Sequence, residues 1–403
     1  GKGKGKGGPP PPPPPPSGEE AAKAAAEAQQ RRREQQERQK REAREAIAQD
    51  KELEARKRDL ESRLPALRSH DIRAVPWDAA LLGTHLAGGK GTAGLGAWEA
   101  GSSGGVDVVE LPGSAAVCVR RGTSIVTESI ADALAAALDV RVARMRLVQP
   151  EDDEARAIQE ATRRWASISL TKEVSKMEEK VLPTMDAKTQ ERVRMYLSGV
   201  AACAVLEFVP GTTLDASAAA LEAPSPGLLA DIGQLCALDM LLNNMDRIPL
   251  PCWGSAGNFT NAIVTPAGGV VGIDQQVNHI EQGPGLDAYL SKVQNLSSQV
   301  LRGSAPAMGS CIQTAFKKHC GVELSDGSIE CLIEGMSSVL RKAILEAQAG
   351  SLAETLTTVA ARVGKMNFDC AFPTGIDAAS IAAKDVAFVQ RVVDVVVHVA
   401  NDQ

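Results

Sequence analysis

The stretch DIGQLCALDMLLNNMDRIPLPCWGSAGNFTNAIVTPAGGVVGIDQQ, residues 231–276, decides how this chain of 403 residues is interpreted. Its first part has the apolar spacing of a buried helix, and that pattern ends at Asn243-Asn244. Asp246-Arg247 follow at once, and a loop rich in Pro and Gly then leads to Asn258 and Asn261. Polar side chains are therefore concentrated where a helix gives way to a loop.

The second part of the stretch predicts two short strands joined by a tight turn. Residues 262–264 and 270–273 are apolar and flank a Gly-Gly pair, and Asp274 follows the second strand. Transfer of a phosphoryl group from ATP needs one carboxylate to orient the attacking hydroxyl, and an Asn plus a second carboxylate to hold Mg²⁺. Asp246, Asn261 and Asp274 form such a set, although each of them alone also suits a turn, where Asp and Asn bond their own backbone.

This ordered set of residues resembles the catalytic core of the actin-fragmin kinase family, which is an atypical protein kinase family distantly similar to the phosphoinositide kinases. The resemblance rests on Asp239, Asn243-Asn244, Asp246-Arg247, Trp253, Gly257-Asn258, Asn261 and Ile273-Asp274. It implies a catalytic motif at Asp246-Arg247, metal binding by Asn261 and Asp274, and a supporting role in the loop for Asn258.

Upstream residues carry the same resemblance in the order expected of a kinase N-lobe. Residues 106–111 and 116–119 predict a β-hairpin, Thr127 to Leu138 predicts a helix, and Val142 to Val148 predicts another strand. In the family, a lysine at the end of the second strand contacts the ATP phosphates and pairs with a glutamate on the helix. Glu128 lies where that glutamate is expected.

The expected lysine is absent, and the matching position is Arg121, with Arg120 next to it. Arginine keeps the charge, but its planar fork and longer reach differ from a compact ammonium group. Three interpretations stay open: Arg121 grips the phosphates, the chain is a nucleotide-binding pseudokinase, or the two arginines are only a solvated strand end.

The segment around residues 204–211 resembles the hinge between kinase lobes. Under this resemblance the backbone of Leu206, Glu207, Phe208 and Val209 would bind the adenine of ATP, whereas the alternative is a buried strand that ends in a turn. Residues 86–105 contain no phosphate-loop motif with the required spacing, and we interpret them as a flexible loop rich in Gly and Ser.

Composition limits the class of protein. The net charge of −6 does not indicate general affinity for nucleic acid, and the sequence has no apolar run long enough to span a membrane. The eight cysteines form no CxxC pair, which favours a reduced, cytoplasmic protein. His279, His319 and His398 belong to no recognisable constellation and are interpreted as structural or solvated.

The N-terminal segments differ sharply from the rest. Residues 1–17 are a low-complexity, disordered tail with eight consecutive prolines, which either docks on a polyproline-binding module or acts as a stiff spacer. Residues 18–65 are rich in Ala, Glu, Gln, Arg and Lys and predict a long charged helix or coiled coil.

We therefore predict an α+β, bilobal protein-kinase-like fold with an antiparallel β N-lobe (71–209) and a mostly helical C-lobe (210–403). Helical spacing continues to the C-terminus over 286–301, 305–318, 328–347, 352–363 and 378–401, although the β-branched run at 392–399 also suits a strand.

The resemblance implies an ATP- and Mg²⁺-dependent Ser/Thr kinase that acts on a protein, with actin as the first substrate to test. Two alternatives remain. One is a pseudokinase scaffold that recruits partners through its polyproline and helical segments, and the other is a kinase for a lipid or small molecule.

Overall fold

The computed structural model describes residues 95–98, 106–111, 115–121, 124–149, 152, 155, 203–366 and 377–402. The strands are β1 (Leu95–Trp98), β2 (Val106–Leu111), β3 (Ala115–Arg121), β4 (Met145–Val148), β5 (Cys203–Glu207), β6 (Thr212–Thr213), β7 (Ala262–Val264) and β8 (Val270–Gly272). The α-helices are α1 (Ser124–Ala137), α2 (Ala218–Glu222), α3 (Pro226–Leu242), α4 (Pro284–Leu301), α5 (Pro306–Cys320), α6 (Asp326–Gln348), α7 (Ser351–Val363) and α8 (Ala378–Asn401). Two short 3₁₀ helices cover Leu214–Ala216 and Phe259–Asn261.

The first part of the described chain is an antiparallel sheet with strand order β1-β2-β3-β5-β4. The predicted hairpin is its centre, because β2 and β3 pair from Val106↔Arg120 to Leu111↔Ala115. The second part has a small antiparallel sheet, β6-β7-β8, followed by helices α4 to α8. Antiparallel sheets together with many helices confirm the α+β prediction.

One local prediction is wrong. Residues 95–98, expected in a flexible loop, form β1, because Leu95 to Trp98 pair with Val109 to Val106 of β2. The helix predicted over residues 378–401 is confirmed, and residues 392–399 do not form the strand that they also suited. The buried valines of α8, including Val389, Val392, Val393 and Val396, recur at helical spacing and face the core, and this burial outweighs their preference for strands.

The core of the second part forms around α3. This helix starts at an N-cap, where the Ser225 hydroxyl accepts a hydrogen bond from the Leu228 amide at 3.1 Å. It crosses α6 very closely, because a Cβ atom on Gly233 would lie 2.0 Å from the Leu332 carbonyl oxygen, and one on Gly335 would lie 2.1 Å from that of Ala230. Glycine at both crossing points lets the backbones touch and fixes α3 within the core.

Helix α1 lies between the first sheet and the C-terminal helices. Ile125 and Val126 pack with Ala204 of β5 and with Val363 and Ala378 near α7 and α8. Ile130 and Leu134, one and two turns later, belong to the large core that contains α3 to α6. The helix that carries Glu128 is therefore buried on several sides.

Some predictions concern residues that the structure does not describe. The low-complexity tail, the charged helix predicted over residues 18–65 and the connection between the two strands of the predicted hairpin lie outside the described residues. The domain boundaries remain predictions. None of the helices in the described part of the chain combines the length and apolar character that a membrane span requires.

Candidate active site

The loop that carries Asp246 begins where α3 ends. Asn243 caps the helix in the left-handed region (φ +53°), a conformation that Asn adopts more readily than most residues. The Asn244 amide donates to the Asp239 carbonyl oxygen at 2.8 Å, and the chain then bends at residues 246–248. Asp246 is exposed on this bend, where its carboxylate is accessible to a substrate.

Arg247 holds the loop to the residues that adjoin two strands of the small sheet, β7 and β8. Its side chain is fully buried, and Nη1 lies 2.6 Å from Oδ1 of Asp239 on α3. Nε donates to the Asn261 carbonyl oxygen and Nη2 to that of Ile273, each at 3.0 Å. A Cβ atom on Gly272 would lie 3.1 Å from Cζ of Arg247, so this glycine makes room for the guanidinium. The Arg247 side chain thus joins α3 to the backbone next to β7 and β8.

The long loop after Arg247 returns to the same point. The Asn258 amide donates to the Arg247 carbonyl oxygen at 2.9 Å. The Asn258 side chain caps the 3₁₀ helix Phe259–Asn261, because Oδ1 accepts from the Thr260 backbone amide at 3.3 Å, and the same atom also accepts from the Thr260 hydroxyl at 2.6 Å. Asn258 therefore supports the loop by initiating the short helix that ends at Asn261.

Asn261 and Asp246 are in direct contact. The Asn261 Nδ2 group donates to the Asp246 backbone oxygen at 2.8 Å and to its Oδ2 atom at 3.2 Å. Asn261 is 7% exposed, so its side chain is fixed by these bonds rather than by water. Residues fifteen positions apart are brought together, as the phosphotransfer hypothesis requires.

Asp274 joins the group through strand pairing. β7 and β8 are in register at Ala262↔Gly272, and the Ile273 amide donates to the Asn261 carbonyl oxygen at 2.9 Å. Asp274 comes directly after this pair, in the left-handed region with φ +57°, and its side chain is 28% exposed. The backbone turns at the second predicted metal ligand, which leaves that carboxylate partly open to solvent.

The side chain of Arg120 reaches Glu128. Arg120 Nη1 lies 2.7 Å from Oε1 of Glu128 and also donates to Oδ1 of Asp274. Both Arg120 and Glu128 are buried. Arg121 is the last residue of β3, and its side chain is not among those described. The sequence assigned the lysine position to Arg121, which stays a prediction, and the contacts of Arg120 make the neighbouring residue a second candidate.

Burial and neighbouring charges shift the pKa values of Arg120 and Glu128. Burial raises the pKa of Glu128 to about 7, and the nearby Asp274 charge adds to this effect while Arg120 opposes it. Burial lowers the pKa of Arg120, but Glu128 and Asp274 more than compensate, and the net pKa is raised. The physical reason is that one cation serves two carboxylates, so the more deeply buried carboxylate holds its proton more tightly.

The pKa of Asp239, which is buried beside Arg247, depends on the same opposition between burial and a neighbouring cation. Burial raises the pKa of Asp239 to about 6, against the stabilising effect of Arg247 on its charged form. Asn244 Nδ2 donates to the same Asp239 oxygen at 3.0 Å. Asp239 was part of the sequence resemblance without an assigned role, and the structure shows that it anchors Arg247.

The predicted hinge is the end of β5 and the residues after it. Leu206 pairs with Cys118 of β3 and Met145 of β4, and Glu207 accepts from Arg144 Nε at 3.1 Å. The chain leaves the sheet at Phe208, which is buried, and continues through Val209 towards β6. The segment therefore connects the two sheets, and adenine binding by it remains a prediction.

The donor set suits magnesium better than a softer metal. Among the described residues no three His, Cys, Asp or Glu side chains cluster as a metal site. One amide and one partly exposed carboxylate, Asn261 and Asp274, match the preference of Mg²⁺ for few protein ligands completed by phosphate oxygens and water.

The exposed acid on a loop after a buried helix, the adjoining amide and the acid after the paired strand all lie in a part of the chain that matches a kinase catalytic-domain family. The family described as actin-fragmin kinase, catalytic, matches residues 94–281, and this part of the chain is similar to that family. The resemblance drawn from the sequence is thereby confirmed. No match was found among curated proteins.

Proposed function

We propose that the chain is an ATP- and Mg²⁺-dependent protein Ser/Thr kinase. The observation that supports this best is the contact between Asp246 and Asn261, which lie in different elements. The pairing of Asn261 with Ile273 then brings Asp274 to the same region. A transferred phosphoryl group requires such a set of acid, amide and acid.

The proposed roles follow from exposure and contacts. Asp246 is exposed, and it would accept the proton of the substrate hydroxyl and orient it. Arg247 is fully buried against protein groups and would be a positioning residue, in place of the catalytic role that its motif suggested. Asn258 would position Asn261 through the short helix that it caps.

Asn261 and Asp274 would hold Mg²⁺, which when bound bridges phosphate oxygens and neutralises their charge. Arg120 would contact the phosphates, held in place by Glu128. The backbone from Leu206 to Val209 would receive the adenine. The arrangement that we propose is bilobal and kinase-like, with the nucleotide between the two sheets.

The protein that would accept the phosphoryl group is proposed from the family match alone. Actin, alone or in complex with a severing protein, is the first substrate to test, and a polyproline-binding module is a partner proposed for residues 9–16. A cytoplasmic location would suit both.

Asp246→Asn tests the proposal. We expect the variant to bind Mg-ATP about as well as the wild type and to lose roughly 10²–10⁴-fold in kcat, because it cannot accept the hydroxyl proton. Asp287→Asn, which changes an exposed acid at the start of α4, is the matched control and should retain activity. Isothermal titration would measure binding, and a radiolabelled phosphate assay with actin, a generic protein and a phosphoinositide would measure transfer. Transfer at wild-type rate by Asp246→Asn would refute the catalytic role.

One observation favours the pseudokinase scaffold as a second candidate. Arg120 forms an ion pair with Asp274, the proposed metal ligand, so the cation competes with Mg²⁺ for this carboxylate. In the same assays, a wild-type protein that binds Mg-ATP but transfers no phosphate to any acceptor would support the scaffold.

A further inference from the structure

The segment that follows Asp274, residues 275–281, has no regular structure but is tied to the start of the catalytic loop. Asn278 and Asn243 exchange side-chain bonds, with Asn243 Nδ2 donating to the Asn278 carbonyl oxygen at 2.9 Å and Asn278 Nδ2 donating to that of Asn243 at 3.1 Å. The Asn278 amide donates to the Leu242 carbonyl oxygen at 3.0 Å. The segment after one site acid is thus fixed to the helix end before the other.

The opposite side of this segment is held by α8. His279 Nδ1 lies 2.6 Å from Oδ1 of Asp385, whose side chain is fully buried, while the His279 side chain is 25% exposed. One residue earlier on the helix, Lys384 pairs with Glu281 at 3.2 Å, and both of these side chains are exposed. Helix α8 begins at residue 378, far beyond the family match that ends at 281.

Helix α8 is itself fixed relative to α3. Phe388 stacks on Tyr289 of α4 with ring centroids 5.9 Å apart, and the Tyr289 hydroxyl donates to the Met240 carbonyl oxygen in α3. The helix therefore presents Asp385 at a defined place beside the segment.

Asp385 is a buried carboxylate on α8 among apolar side chains. Val386, Phe388 and Val389 around it are buried and apolar, and its Oδ2 atom has no hydrogen-bond partner among the described residues. Burial of a half-satisfied carboxylate disfavours folding. An apolar side chain would suit the core better, so the contact with His279 is what the carboxylate provides.

We propose that α8 is a positioning element of the active site, and that the Asp385–His279 contact holds residues 275–281 so that Asp274 and Asp246 keep their relative placement. This inference rests on the proposed kinase function. It adds residues outside the matched family region to the machinery of the site.

Three variants test this inference. His279→Ala removes the contact at a partly exposed position, Asp385→Asn keeps an oxygen that can accept from His279, and Lys384→Ala removes the neighbouring exposed pair as the matched control. Hydrogen–deuterium exchange of peptides covering 243–262 and 270–281 reports on positioning without requiring activity. Steady-state kinetics with ATP report on catalysis.

We expect His279→Ala to speed exchange in both peptides and to lower kcat about tenfold or more while the KM for ATP changes little, because misplaced catalytic groups slow chemistry more than binding. Asp385→Asn should recover most of the wild-type exchange and kcat. Lys384→Ala should resemble the wild type, since exposed ion pairs contribute little. His279→Gln is the substitute if the alanine variant does not fold.

The outcomes separate the inference from the proposed function. Faster exchange in His279→Ala, in a protein whose wild type transfers no phosphate, would uphold the positioning contact and overturn the kinase proposal. Unchanged exchange and unchanged kcat in an active enzyme would overturn the inference alone. An equal loss in Lys384→Ala would also overturn it, because the effect would then not be specific to the buried contact.

Discussion

Arg120 is the residue that connects two carboxylates of the candidate site. A lysine would offer a compact ammonium group to the phosphates, whereas the planar guanidinium of Arg120 contacts Glu128 and Asp274 together. This dual contact keeps the two carboxylates close despite their like charge. It also means that a metal ion bound as we propose would compete with this guanidinium for Asp274.

At this scale we predict that Arg120→Lys raises turnover by roughly 3- to 10-fold and lowers the Mg²⁺ concentration needed for half-maximal rate, because a compact ammonium bridges the two carboxylates less well. Phosphate transfer measured over a Mg²⁺ titration checks this. Arg121→Lys separates the two arginines: if that variant alone changed turnover, the assignment from the sequence would be right and the one based on contacts wrong.

At the scale of elements, Asp239 and Arg247 join the buried helix α3 to the small sheet. Arg247 crosses above Gly272 to bond the backbone at Asn261 and Ile273, so the loop that carries Asp246 moves only if these strands move. Side-chain bonds to backbone carbonyls fix the positions of the elements without using the groups that would meet a substrate.

We predict that Asp239→Ala costs about 3–5 kcal/mol of unfolding free energy, because it leaves the guanidinium of Arg247 buried without its counter-charge. The double variant Asp239→Leu with Arg247→Met should recover much of this stability, since it removes both buried charges, but should not restore phosphate transfer. Urea unfolding and the transfer assay measure the two effects. A cost below about 1 kcal/mol for Asp239→Ala would show that the pair is not needed for stability.

At the scale of the whole molecule, α1 couples the first sheet to the C-terminal helices. Its apolar residues pack on β5, α7 and α8, while Glu128 on the same helix faces Arg120. The helix is therefore held by the core on one side and by an ion pair on the other. Titration of Glu128 should accordingly be felt in the stability of the entire fold.

Because burial raises the pKa of Glu128 from 4.5 to about 7, the folded protein binds this proton more tightly than the unfolded chain does. The contribution of this group to stability is therefore complete below pH 4.5 and is lost as the pH rises through about 7, a change on the order of 3 kcal/mol. In Glu128→Gln that part of the pH dependence should disappear. Urea unfolding of both proteins at pH 5 and pH 8 measures the difference, and identical pH slopes would contradict the assignment.

Sequence by itself determined much of the local structure. The helix ending at Asn243, the hairpin of β2 and β3 and the strands around the Gly-Gly turn follow from local spacing and turn residues, which act between near neighbours. Strand β1 was missed because its residues, LGAW, show no alternation of apolar and polar side chains, and only pairing with β2 makes them a strand.

Only the tertiary structure decided which side chains meet. Asp385 lies 106 residues from His279 and 154 residues separate Arg120 from Asp274, so no local pattern links them. The contact of Arg120 with Glu128 depends on which face of β3 turns towards α1, and adjacent residues in a strand point to opposite faces. Contacts of this kind arise from the packing of whole elements, because burial and charge pairing act through space rather than along the chain.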